Sequence, residues 1–144
     1  MTPFNLKIIT PFPPEFCMSL NDKIFFDGQV ENVVVRTTVG DKGILAKHEP
    51  YVAALPIGKM RVMIDGKFRN AAISYGTVTV DNNGDTIILT QSCEWSDEIN
   101  IPRAEAAKSE AEELLNSDKT SRIEHEIAEF KLKRALNRLD AAGG

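Results

Sequence analysis

Hydrophobic and polar positions alternate through the first two thirds of the chain and then change to a helical rhythm. In "FNLKI" the apolar residues Phe4, Leu6 and Ile8 fall on one face, the spacing of a half-buried strand. "KIFFDG" and "VENVVVRTT" are short β-branched or aromatic runs bounded by Asn, Asp and Gly. "KMRVMIDGKFRNAAIS" predicts a hairpin: Met60, Val62 and Ile64 alternate, Asp65-Gly66 supplies a two-residue turn, and Phe68 starts the return strand. "TVTVDNNGDTIILT" repeats the plan, with Asn83-Gly84 inside a longer turn. Many short strands at close spacing predict an antiparallel sandwich or barrel. Pro11, Pro13 and Pro14 interrupt the pairing and predict a bend or an edge.

From residue 100 the spacing becomes helical. Ala104, Ala107, Ala111, Leu114 and Leu115 line one stripe of a first helix. "NSDKTS" breaks the pattern and offers stop and cap residues. A second helix is predicted from about Ser121 to Ala141, with Ala128, Leu132, Ala135, Leu136 and Leu139 on one face. Ile123, Ile127 and Phe130 form a second line that Arg134 and Arg138 continue. Alanine on both helices permits the close approach of an antiparallel hairpin. The chain thus divides into a β-sandwich domain over residues 1–95 and a helical hairpin over 96–144. An Ala-rich seam buries little apolar area, worth ~25 cal/mol per Å², against the entropy of ordering two helices, so the hairpin is expected to move.

Composition narrows the function. The chain has 144 residues, 26% of them charged, and a net charge of −4, without the clustered basic surface that nucleic acid requires. No apolar run approaches the ~18–20 residues that span a bilayer. "MTPFNLKIIT" lacks the basic start and apolar core of a signal peptide. Cys17 and Cys93 sit in no metal-ligand spacing and fit reduced structural thiols in a cytoplasmic protein. No Gly-rich phosphate loop, paired ligand motif or activated nucleophile is present, so no catalytic residue is assigned. His125 falls on a polar helix face and His48 in a turn between strands.

Four segments together resemble one family, the epsilon subunit of bacterial F-type ATP synthase: "LKIITP", "GDKGILAKHEPYVAALPIG", "AISYGTVTVDNNGDTIIL" and the terminal "LKRALNRL". The likeness covers nearly the whole chain, and Tyr75 stands where the family usually has a glycine. It implies about ten β-strands in a sandwich, then a two-helix hairpin. It also implies a non-catalytic place at the foot of the central stalk, between the gamma subunit and the c-ring, coupling H⁺ or Na⁺ flow to ATP chemistry performed elsewhere. The location implied is peripheral, on the cytoplasmic face of the plasma membrane. The family's ring-facing loop maps onto residues 39–48, which makes Asp41 and His48 interface candidates.

In many members the hairpin binds ATP through an Ile/Leu-Asp-x-x-Arg-Ala motif, and ATP keeps it folded on the sandwich. The matching segment here is Ile99-Asn100-Ile101-Pro102-Arg103-Ala104, with asparagine in place of aspartate. Glu94, Arg134 and Arg138 match further nucleotide-binding positions, while Glu110 stands where some members carry arginine. Asn100 and Pro102 would open a helix equally well with no ligand. As a neutral acceptor Asn100 is weaker than a charge-assisted one, and Glu110 puts negative charge near the phosphates. The expectation is a weakened ATP site, with no cofactor required. Extended, the hairpin would carry Lys131, Lys133, Arg134 and Arg138 toward the alpha and beta subunits and restrain hydrolysis. The alternatives are a nucleotide-sensing subunit with a working ATP site, and a freestanding interaction adaptor.

Overall fold

Strand β1 (Phe4–Thr10) buries every second residue, as its alternation requires. In the computed structural model, which describes residues 2–10 and 23–143, it is followed by β2 (Lys23–Val30), β3 (Asn32–Thr37), β4 (Gly40–Ile44), β5 (Tyr51–Leu55), β6 (Gly58–Ile64), β7 (Lys67–Val80) and β8 (Thr86–Trp95). A 3₁₀ turn, Ser96–Glu98, leads to α1 (Ile101–Leu115) and α2 (Arg122–Ala142). The prolines at 11, 13 and 14 and Cys17 lie outside the described residues.

The strands run in the order β2-β1-β8-β7-β6-β3-β4, with β5 also on β7. The first half of β7 pairs with β6, its last residues pair with β5, and β8 follows both halves. One long strand thereby serves both layers of the sandwich. The described residues hold eight strands rather than about ten, and the sheet is mixed rather than antiparallel throughout, because β1 runs parallel to β8 from Leu6 beside Thr86 to Ile9 beside Leu89. Period-two alternation shows which face a residue takes but not which strand lies beside it, and a parallel pair needs a long connection. Here most of the sandwich is that connection.

Between the layers Leu6, Ile8, Val33, Val35, Ile44, Met60, Val62, Val78 and Ile88 are fully buried. Each such side chain contributes ~1.5–3 kcal/mol on leaving water. The Asp65-Gly66 turn joins β6 to β7 with positive φ at both residues, 52° and 78°, the twist a two-residue hairpin demands. Gly76 permits the close approach of β7 to β8: a Cβ there would stand 1.9 Å from the Leu89 carbonyl oxygen.

Trp95 closes the core, with Phe25 and Phe26 at ring distances of 5.2 and 5.9 Å. The Arg69 guanidinium lies 4.1 Å from the Trp95 ring centre. Its Nη2 also donates to Asp97 at 3.2 Å and reaches Glu98 at 3.5 Å. The 3₁₀ turn is therefore tied to the sheet, and the helical part starts from a fixed point.

Candidate functional site

Asn100 begins the hairpin. Its backbone is extended, and its Oδ1 accepts from the Arg103 amide at 3.1 Å, with Pro102 in the first turn. Ser121 caps α2 in the same way, accepting from the Glu124 amide at 3.2 Å. The two helices meet along Ala104, Ala111, Ala128 and Ala135, all buried. Leu114 and Leu136, expected on the seam, are instead exposed. Alanines bring the backbones so near that the larger side chains are pushed to the margins. Ile123 and Ile127 are also exposed, since α2 meets the sandwich mainly through its later turns.

Those later turns hold the hairpin folded on the sandwich. Ala141 packs with Ala72 and Ile99. Asn137 Nδ2 donates to the carbonyls of Gly58 at 3.0 Å and Ile73 at 3.3 Å. Lys59 Nζ stands 3.4 Å from the Asp140 carboxylate. Earlier on the helix, Phe130 stacks on Tyr75 with centroids 5.5 Å apart and rings 9° from parallel. Arg138 lies against Glu94. Its Nη2 donates to Oε2 at 3.1 Å, and its Nε stands 2.7 Å from Oε1, an ion-pair distance although the N–H is not aimed for a hydrogen bond. The two side chains are only 15% and 33% exposed, so this pair is less screened than the ion pairs at the surface.

Between the helices is a cavity of about 280 Å³ whose lining includes Arg103, Ala107, Glu110, Lys131, Arg134 and Arg138. Of the residues matched to the nucleotide motif, the fold brings Arg103, Arg134 and Arg138 to this cavity. The others are engaged elsewhere: Asn100 caps α1, Ile99 packs beneath α2, Ala104 lies in the seam, and Glu94 holds Arg138 from the sheet side. Lys131, not assigned to the nucleotide site from sequence, lines the cavity too. Its spacing from Arg134 and Arg138, three and seven residues, is the signal that puts it on their face. Glu110 lies opposite these cations, as its place one helix over suggested.

Asp41 and His48 lie apart from the hairpin site. Asp41, on β4, accepts from Arg36 Nε at 3.1 Å. His48 lies between β4 and β5 with Nδ1 2.7 Å from the Glu49 carbonyl oxygen and its ring centre 5.7 Å from that of Tyr51, the planes at 67°. The nearby tip of the β3–β4 turn exposes 93% of Val39. Among the described residues no helix is long and apolar enough to cross a membrane, and no group of His, Cys, Asp and Glu is arranged to hold a metal. Burial, and next the charge of Glu94, push the Cys93 thiol up to about 12, so it stays protonated and inert at neutral pH.

Two family models match: the ATP synthase delta/epsilon chain beta-sandwich domain over residues 16–96, and the long alpha-helix domain of the same chain over residues 97–143. The ATP synthase epsilon chain of Ruminococcus albus is 44% identical over 142 residues, covering 99% of this chain and 98% of the relative. That of Caldicellulosiruptor bescii is 41% identical over 142 residues, covering 99% and 95%. A chain in the Euglena gracilis mitochondrial ATP synthase assembly of OSCP, F1 and c-ring superposes with a TM-score of 0.71 at 25% identity, over 97% of this chain and 82% of that one. A chain of the Tetrahymena thermophila central stalk and c-ring shares the fold at a TM-score of 0.60 and 14% identity, covering 96% of each.

Proposed function

This chain belongs to the epsilon-chain family of bacterial ATP synthase and is a non-catalytic subunit of the rotor, and on that premise we propose that its hairpin is held folded by the sandwich itself, with little help from nucleotide. Its partners are the gamma subunit and the c-ring. Exposed Ile24, Ile87 and Leu89 on strands β2 and β8 give gamma an apolar face to cover. Val39, Asp41 and His48 suit the polar loops of the c-ring, at the cytoplasmic face of the membrane.

The observation that carries the proposal is the Arg138–Glu94 pair. An arginine matched to a nucleotide-binding position already has a carboxylate partner inside the protein. A phosphate would have to compete for it, and Glu110 adds a negative charge to the cavity it would enter. The Asn100 acceptor oxygen already takes the Arg103 amide as the helix cap, so a nucleotide would have to share it. A ligand shifts a two-state equilibrium only through differential affinity, so a weakened site biases the hairpin little. Once released, α2 would extend and carry Lys131, Lys133, Arg134 and Arg138 toward the alpha and beta subunits, restraining hydrolysis.

Calorimetric titration of the full chain with ATP tests the weak site, and hydrolysis by the complex lacking residues 100–144 tests the restraint. The expected results are weak or undetectable binding, strengthened by Asn100→Asp with Glu110→Arg, and faster hydrolysis after truncation. Tight binding by the unaltered chain would overturn the first, and unchanged hydrolysis would overturn the second. Failure of the tagged chain to bring down gamma and c subunits would favour a freestanding adaptor.

A further inference from the structure

Beside the docked end of α2, the outer face of the sheet contains a second cavity, of about 230 Å³, lined by Val34, Arg36, Asp41, Lys59 and Arg61. The strand register assembles it. Arg36 on β3 is opposite Asp41 on β4, Val34 is opposite Arg61 on β6, and Lys59 precedes Arg61 by two residues and shares its face. Three cations and one carboxylate thus meet around one hollow, in a chain whose net charge is −4. Asp41 offsets Arg36 across the β3–β4 register, which leaves Lys59 and Arg61 as an excess of positive charge along one face of β6.

The donors suit an oxyanion. Arg36 uses Nε on Asp41, and its two terminal nitrogens have no hydrogen-bond partner among the described residues. Arg61 lies with its guanidinium 4.6 Å from the Phe68 ring centre, which holds the plane and leaves the N–H edges for a ligand. Planar guanidinium forks and a lysine are the groups that recognise phosphate. A carboxylate of this chain already reaches the rim: Asp140 of α2 stands 3.4 Å from Lys59 Nζ. We propose that this cavity binds a small oxyanion of the phosphate class, which competes with Asp140 for Lys59 and so loosens the end of the docked hairpin. Coupling of this kind is reciprocal, so undocking the hairpin would strengthen anion binding. The proposal is independent of the cavity between the helices and of how well that one takes nucleotide.

The test is titration of the full chain with sodium phosphate, against sodium chloride at matched ionic strength, followed by backbone amide resonances. Saturable shifts at residues 34–36, 41 and 59–61 in phosphate alone are expected, with faster amide exchange in the last turns of α2. Arg36→Gln combined with Arg61→Gln should abolish the saturable response, while spectra elsewhere show the fold intact. Asp140→Asn should tighten phosphate binding several-fold by removing the competitor. Arg134→Gln should leave the response at residues 34–61 in place, which separates this site from the cavity between the helices. Equal shifts in chloride, a response lost with Arg134→Gln, a response only to phosphatidate vesicles, or unchanged affinity in Asp140→Asn would each overturn the proposal.

Discussion

Tyr75 has a φ of +34°, a conformation that costs a non-glycine residue ~1–3 kcal/mol, and it holds that conformation while its ring stacks on Phe130. Substituting glycine would relieve the backbone and remove the stack, so the two effects separate by location. Tyr75→Gly should raise the stability of the sandwich and at the same time increase amide exchange in α2. Phe130→Ala should loosen α2 alone, by about the 0.5–1.5 kcal/mol typical of an aromatic pair beyond its buried area. Gly76 allows no such exchange: Gly76→Ala would drive a methyl into the Leu89 carbonyl, and the unfolding free energy from denaturant titration should fall by the margin of the most damaging substitutions, above about 4 kcal/mol. Cys93 gives the chain a pH signature. Its folded pKa is raised to about 12 from 9.0, so above pH 9 the unfolded state loses the proton first, and folding is weakened as pH climbs toward 12. Denaturant titrations across that range should show Cys93→Ser with a shallower alkaline loss than the unaltered chain; parallel slopes would contradict the assignment.

At the scale of elements, the two helices and most strands were legible because each has a strong local signal. The Asp65-Gly66 turn, the alternation of Phe4, Leu6 and Ile8, the Asn100 cap and the stop at Asn116 are decided by neighbours in sequence, whereas Ser121, read as the first residue of the second helix, is its cap. The parallel β1–β8 pair and the double use of β7 were not legible, because they rest on contacts between residues far apart in the chain. The nucleotide motif was legible as a set of residue types, but its occupation was not. Nothing local reveals that Arg138 turns toward Glu94, or that Asn137 reaches the Gly58 and Ile73 carbonyls. Those contacts make α2 depend on β6, β7 and β8 rather than on α1 alone. Leu132→Ala and Leu139→Ala, at half-buried positions, should therefore loosen the hairpin by no more than the ~2–5 kcal/mol of buried leucine truncations, leaving the sandwich core folded. Hydrogen exchange should rise within residues 100–142; equal loss of protection across residues 23–95 would show one cooperative unit instead.

For the whole molecule, the hairpin lies folded against the sandwich through α2, which touches β6, β7 and the 3₁₀ turn. The pairs Arg138–Glu94 and Lys59–Asp140, the Asn137 bonds and the Tyr75–Phe130 stack fasten one to the other. On the proposal made above, these contacts, and not nucleotide, set the hairpin's posture. Amide hydrogen exchange of α2 in the full chain, with and without millimolar ATP, tests it most directly. Protection over residues 128–141 is expected without ATP, with little change when ATP is added and loss of protection in Glu94→Gln under both conditions. Protection that appears only when ATP is added, and survives Glu94→Gln, would contradict it.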